Sequence, residues 1–345
     1  MEETKNVHFN QKLIAFLFLV NEETEKLEIN DIILRKVSDK EKKIFFEHYH
    51  EDMVEKVLTH CLEFNINDDF IEYVKTSTAK EPIYSNKNWD KDITENDKEI
   101  LIFRKAIWFI EKLIQSINIS VQEPVCILRI DAFSNQDYIK TIQYYDTKYF
   151  TWCNGCYIEE KDIPIIHKIY CTLLKADKGS YLTDYKKNWW IVAVDYFERY
   201  AESDFIADQL IDIMIGLESL LSGPDENIEI GYRLRLRASL YLYYLVNWDP
   251  KQIQDLIKGL YNIRSKIVHG NTGLWKTEFL YIKINGEKID LHDSLDMFRE
   301  LMRIMLLDTI LTHATKTKEE FISFIDTIWQ NKHEKDLIKF NILRQ

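Results

Sequence analysis

The run Tyr261-Asn262-Ile263-Arg264-Ser265-Lys266-Ile267-Val268-His269-Gly270 gathers the residues best suited to chemistry. Histidine titrates near neutral pH and can take a proton as a base. Arginine stays charged and presents a planar fork of donors that matches phosphate oxygens. The Arg-x4-His spacing alone is common by chance, so its setting matters. That setting is the end of a helix. Asp249 sits where an N-cap belongs, Pro250 suits the first helical position, and Gln252 completes a capping-box pattern. Gly270 sits where a left-handed C-cap belongs, so a helix is expected over 250–269.

Helical geometry then places the side chains. At about 100° per residue, Ile253, Leu256, Ile257, Leu260, Ile263 and Ile267 form one apolar stripe. Arg264 falls in the middle of it and is expected to be desolvated, at an interface or inside a bundle. His269 falls about 140° away from Arg264, on the far side. Ser265 and His269, four apart, share a face. One helix therefore does not by itself aim Arg264 and His269 at the same atom.

The segment resembles the Y-x-x-R-S-x-I-V-H-G signature of Apea-like HEPN domains. Leu217-Glu218, in a helix ending Ser219-Leu220-Leu221, and an arginine-bearing helix with Arg233, Arg235 and Arg237 lie upstream in the expected order. The resemblance covers about 185–315. It implies an all-helical bundle and a metal-independent endoribonuclease with no cofactor, leaving 2′,3′-cyclic phosphate ends. It implies Arg264 and His269 as catalytic residues, with Ser265 as a polar helper that orients His269 or touches the phosphate. RNA is the implied substrate, with transfer RNA and its exposed anticodon loop a natural target. A homodimer is implied, because a two-fold axis brings two Arg and two His into one cleft. The setting would be bacterial toxin or anti-phage defence, with a cognate antitoxin or a phage trigger as further partners.

Plainer roles stand beside these. Arg264 can be a structural ion pair with Glu218, leaving a non-catalytic HEPN module that binds RNA or nucleotide or holds a protein partner. A histidine before a C-cap glycine also stabilises the helix end, which favours positive charge. Arg233, Arg235, Arg237 and Lys266 can form an RNA-steering patch; the three arginines can equally be the solvated side of a helix. Cys153 and Cys156, with two residues between them, fit half a zinc site or a redox pair, but no second such pair supplies the other ligands. The expectation is therefore no metal, and a tight turn with two thiols. His167 and Cys171 are four apart on a helix; His48, His50, His60 and Cys61 read as surface or packing residues.

The elements that must position these groups follow from composition and pattern. Hydrophobic residues make up 46% of the 345, enough for a sizeable core, and on length two domains are expected. Only 9 Gly and 5 Pro leave little turn chemistry for an all-β fold, so helix should dominate. A net charge of −12 argues against general nucleic-acid binding, so any RNA must meet a local basic patch. Five scattered cysteines argue against a disulfide framework. No run approaches the roughly 20 apolar residues of a membrane span, and MEETKNVHFNQK has no signal-peptide pattern, so a cytoplasmic protein without a membrane partner is expected.

The fold class expected is an α+β N-terminal domain over 1–180, of sensing or substrate-selecting role, then an all-α HEPN-type helical bundle over 181–330 carrying a small β-hairpin, then a charged tail over 331–345. Strands are expected at 12–20, 27–36, 125–130 and 141–151, and helices at 40–64, from Lys98 onward and at 164–175, with 80–97 a loop. Helices follow at 188–200, 205–221, 233–246 and 250–269. Asn285-Gly286 marks a hairpin, Ser294 caps a helix running to His313, and a last amphipathic segment covers 318–329.

Overall fold

Five consecutive apolar residues, Leu13 to Leu17, are completely buried in strand β1 (Gln11–Phe18). Such a run is what a strand covered on both faces requires. It belongs to a computed structural model that describes residues 11–18, 20, 26–29, 32–47, 60–79, 87–122, 126–134, 137–144, 158–176, 188–203, 205–224, 229–270 and 280–328. The chain divides into two compact units, Met1–Tyr181 and Leu182–Gln345. Helix predominates among the described residues, and none of those helices is long and apolar enough to cross a membrane.

The first unit is built on a six-stranded antiparallel sheet of order β2-β3-β4-β1-β5-β6. Its other strands are β2 (Leu27–Ile29), β3 (Ile32–Lys36), β4 (His60–Ile66), β5 (Cys126–Ser134) and β6 (Asp137–Tyr144). The helices are α1 (Asp39–Glu47), α2 (Asp68–Thr78), α3 (Trp89–Asp92), α4 (Glu95–Ser120) and α5 (Ile163–Ala176). Register puts Leu13 opposite Phe64 and Ala132, and Ala15 opposite Leu62 and Ile130. These residues share one core with Ile102, Ile110, Leu113 and Ile117 of α4 and Ile166 and Tyr170 of α5. On the opposite face Phe16 meets Phe45 of α1, with ring centroids 5.0 Å apart.

Several expectations are corrected here. The helix read over 40–64 stops at Glu47, and His60 opens β4. Leu62, Phe64 and Ile66 point to the core while Cys61 and Glu63 take the other face, a period of two that the helical reading overran. His60 and Cys61 are thus fully buried strand residues. The single strand read over 27–36 is two antiparallel strands, the 80–97 loop contains α3 and the start of α4, and β6 begins before Thr141.

Beside the core of β3 and β4 lies a charged cluster. Arg35 donates to both Glu41 oxygens at 2.9 and 2.6 Å and to Glu63 at 2.8 Å, and Lys12 reaches Glu63 at 3.1 Å. Burial alone would push the Glu41 carboxyl up, but hydrogen bonds from Arg35 and from the amide and hydroxyl of Ser38 outweigh it and hold it at about 2. A lowered carboxyl stabilises the fold above its ordinary value of 4.5, and that share is lost as pH falls towards about 2. Glu41→Gln is expected to lower neutral-pH stability by on the order of 2–3 kcal/mol. Urea melts from pH 7 to pH 2.5 should show wild type and variant converging at the acid end.

The second unit is a bundle of α6 (Ile191–Glu202), α7 (Ile206–Leu221), α8 (Ile230–Val246), α9 (Pro250–Val268), α10 (Leu291–Asp308) and α11 (Lys318–Thr327). Leu210, Met214 and Leu217 of α7, Leu234 and Tyr241 of α8, Ile253, Leu256 and Leu260 of α9 and Phe298 and Met302 of α10 are buried. Between α9 and α10 stands the hairpin β7 (Tyr281–Ile284) and β8 (Glu287–Asp290). Its turn residues Asn285 and Gly286 have φ of +51° and +88°, the pair of positive angles a two-residue type I′ turn needs. The α10 cap differs from expectation: Asp290 accepts from the amide of His292, and Ser294 lies inside the helix with its hydroxyl on the Asp290 carbonyl. Residues 331–345, read as a charged tail, lie outside the described residues.

The hairpin lies directly on α9. A Cβ added to Gly259 would stand 2.2 Å from Ile282 Cγ2, and Ile282 is buried and β-branched, so it cannot swing away. Asp255 Oδ2 accepts from the Asn285 amide at 3.2 Å, one turn earlier in α9. Alanine in a helix gains about 1 kcal/mol over glycine, but overpacking here costs about 1–3 kcal/mol. Gly259→Ala is therefore expected to lower the urea midpoint, and Ile282→Ala in the same chain to relieve the clash.

Candidate functional site

Helix α9 carries the Arg-x4-His run and has well-made ends. Asp249 accepts from the Lys251 amide at 2.9 Å, and Pro250 opens the first turn. Gln252 does not close a capping box, because its side-chain oxygen accepts from Trp248 Nε1 at 2.7 Å. At the other end His269 is the C-cap, its amide on the Ser265 carbonyl at 3.1 Å, and Gly270 follows with φ +74°. This left-handed glycine stops the helix. His269 stands exposed at the tip, Ser265 is half-buried and Lys266 is exposed.

Arg264 is turned the other way. Its Nη1 lies 3.5 Å from Glu218 Oε1 of α7, with side-chain exposures of 22% and 26%. Its Nε is buried and finds no hydrogen-bond partner among the described residues. Burial pushes the Glu218 carboxyl up, and Arg264 offsets that in part without cancelling it. A pair that leaves its carboxyl raised is loosely made. Arg264 thus holds a fork of donors half out of water, with one long ion-pair contact among the described residues. A group desolvated and short of partners is well suited to an incoming anion.

Arg237 is the counter-example and a correction. It is 5% exposed; Nε and Nη2 grip Asp326 of α11 at 2.8 and 2.9 Å, and Nη1 donates to the Leu221 carbonyl at 2.9 Å. Every arm of the fork is engaged inside the bundle, so Arg237 is a strut and no part of an RNA-binding patch. Arg235 is half-buried, its Nε on the Gly231 carbonyl at 3.0 Å and its guanidinium 6.0 Å from the Tyr232 ring. Arg233 is half-buried on the same turn. The structure therefore brings Arg264 to Glu218, leaves His269 and Lys266 at the helix tip, keeps Arg233 and Arg235 near the surface and withdraws Arg237.

Two groups of residues escaped the sequence reading. Lys318 of α11 donates to the carbonyls of Ser219 and Leu220 at the end of α7. Asp308 accepts from Tyr241 at 2.7 Å and Thr312 at 3.0 Å, and lies 3.2 Å from His313 Nε2. Nothing local marks them, since Lys318 lies 98 residues from Leu220 and Asp308 67 from Tyr241.

The cysteines stay apart from this site. Cys153 and Cys156, and with them His48 and His50, lie outside the described residues. Burial pushes the Cys61 thiol up to about 12, which makes it inert. Cys171 Sγ is 3.6 Å from His167 Nε2 on α5. Among the described residues no three His, Cys, Asp or Glu side chains gather as metal ligands would. No family model, curated protein or solved structure matches this chain.

Asp326→Asn would leave the buried Arg237 guanidinium without its counter-charge. Stability is expected to fall by about 2–4 kcal/mol. Thermal melts should show Arg233→Ala, at the half-exposed position one turn earlier, within about 0.5 kcal/mol of wild type.

Proposed function

We propose that the second unit is a metal-independent endoribonuclease of HEPN type that cleaves RNA to 2′,3′-cyclic phosphate ends. The observation that carries this reading is the half-buried, under-partnered Arg264 five positions before an exposed His269 on one helix. RNA brings its own nucleophile. His269 takes the proton from the 2′-hydroxyl, the 2′ oxygen attacks phosphorus, and the bond to the 5′ oxygen breaks as that oxygen takes a proton from water to leave as a 5′-hydroxyl. Arg264 neutralises the charge that builds on the phosphoryl oxygens, a task that needs fixed donors in a site partly out of water. Ser265 stands one position from Arg264 and holds the backbone of His269 through its carbonyl.

Within one chain Arg264 and His269 leave α9 in different directions. A second copy related by a two-fold axis would set the Arg264 of one against the His269 of the other, so the reading includes a homodimer through this unit. An unpaired loop such as a transfer RNA anticodon offers the accessible backbone such a cleft needs. The reading extends to a cytoplasmic toxin or anti-phage effector, held by an antitoxin or released by a phage trigger, with the first unit sensing or selecting.

One observation favours a second reading. The Arg264–Glu218 contact joins α9 to α7, as a structural ion pair would in a non-catalytic HEPN module. Purified protein incubated with total transfer RNA in EDTA, beside Arg264→Ala and His269→Ala, separates the two. Discrete fragments with cyclic-phosphate ends, lost in both variants while their circular dichroism is unchanged, are expected. Cleavage persisting in both would remove the site assignment. Unfolding of Arg264→Ala with an indifferent His269→Ala would favour the structural pair.

A further inference from the structure

We propose that Tyr232 is a stacking platform for an unpaired base of RNA; the identity of the ligand rests on the nuclease reading. Tyr232 lies in the first turn of α8 and is 56% exposed. Leu236, one turn on, is also exposed, so this face of α8 is apolar and open. The core leaves most of the ring in solvent, where its face is accessible to a ligand.

Its place in the bundle is set by two contacts. Gln254 of α9 donates to Ser239 of α8 at 3.3 Å, and a Cβ on Gly231 would stand 3.3 Å from the Tyr261 ring. The two helices therefore run antiparallel, with the start of α8 beside Tyr261, one turn before Arg264 and Ser265. From Tyr261 to His269 the axis advances about 12 Å, within reach of a short stretch of extended single strand. The backbone entering α8 is itself constrained, with Glu229 left-handed at φ +56°. Such a conformation persists only where the surroundings over-determine it.

The neighbours fit a nucleic acid. The Arg235 guanidinium stands over the Tyr232 ring, tethered through Nε to Gly231, and Arg233 follows Tyr232 in the chain. Lys266 is exposed near the end of α9, while Glu229 brings a negative charge to the start of α8. An aromatic face with a guanidinium beside it holds a base by stacking and its phosphate by charge, whatever the sequence. In a chain of net charge −12, stacking supplies binding energy that long-range attraction cannot. The consequence is selectivity for unpaired over double-stranded RNA, because only an unstacked base can lie on the ring.

The test uses full-length His269→Ala protein, to keep the RNA whole, and a short fluorescein-labelled RNA, free or annealed to its complement. Adding Tyr232→Ala should weaken single-strand binding by about ten-fold, leave duplex binding unchanged, and be rescued by Tyr232→Trp. Equal single-strand affinity with and without the ring overturns the proposal, as does an absence of RNA binding in the parent. Loss of self-association by sedimentation with RNA affinity intact would give this face to a second copy of the chain, and overturns it too. RNA bound through Tyr232 but never cut by wild type retires the nuclease reading and leaves the platform standing. Cutting at an unchanged KM in Tyr232→Ala does the reverse.

Discussion

The last turn of α7 is where the second unit is tied together. A helix ends with carbonyls that have no partner in the helix, and burying them uncapped is costly. Here two cations supply the caps from far along the chain. Arg237 of α8 takes the Leu221 carbonyl, and Lys318 of α11 takes those of Ser219 and Leu220, its ammonium 4.4 Å from the centre of the Trp189 ring. Asp326 of α11 closes the arrangement by holding the rest of the Arg237 fork. Helices α8 and α11 thus converge on the backbone oxygens that end α7, and the negative end of the α7 dipole meets positive charge. Glu218 sits in the turn so fixed, and this is what presents its carboxylate to Arg264 of α9.

A second polar knot ties α8 and α11 to α10 deeper in the core. Helix α10 passes into a π-helical turn at Thr309–His313, a geometry that re-aims side chains within a continuous helix. Asp308 collects Tyr241 of α8 and Thr312, while His313 lies beside it against the rings of Phe321 and Phe324 of α11. Burial, and then the Asp308 charge, push the Tyr241 hydroxyl far up, so it stays a donor. A buried carboxylate with a tyrosine and a threonine donating to it is tolerable, and it specifies how α8, α10 and α11 meet.

Against this background the contrast between Arg237 and Arg264 carries weight. The two share a residue type, and both sit on helices among apolar neighbours. One has each arm in a hydrogen bond shorter than 3.0 Å; the other has a 3.5 Å contact and an Nε with no partner among the described residues. Complete satisfaction is what a structural arginine needs, and incomplete satisfaction leaves capacity for a ligand. The hairpin laid on Gly259 and Asp255 fixes α9 from the opposite direction, between its cap and Arg264.

Much of the frame was legible in the sequence because caps and turns are local. Asp249, Pro250 and Gly270 bound α9, and Asn285-Gly286 makes the hairpin turn, since each acts on backbone within a few residues. The apolar stripe of α9 was legible for the same reason, and so was the placing of Arg264 within it. Local signals misled where two competed: Asp290 outbid Ser294 as a cap, Trp248 took Gln252, and alternation in β4 was hidden behind a helical stretch. What only the tertiary structure decided is the fate of each charge. Whether an arginine is solvated, locked or left with donors to spare depends on which helix brings a carboxylate to it. The partner of Arg237 lies 89 residues away, so no local pattern could separate it from Arg233 and Arg235.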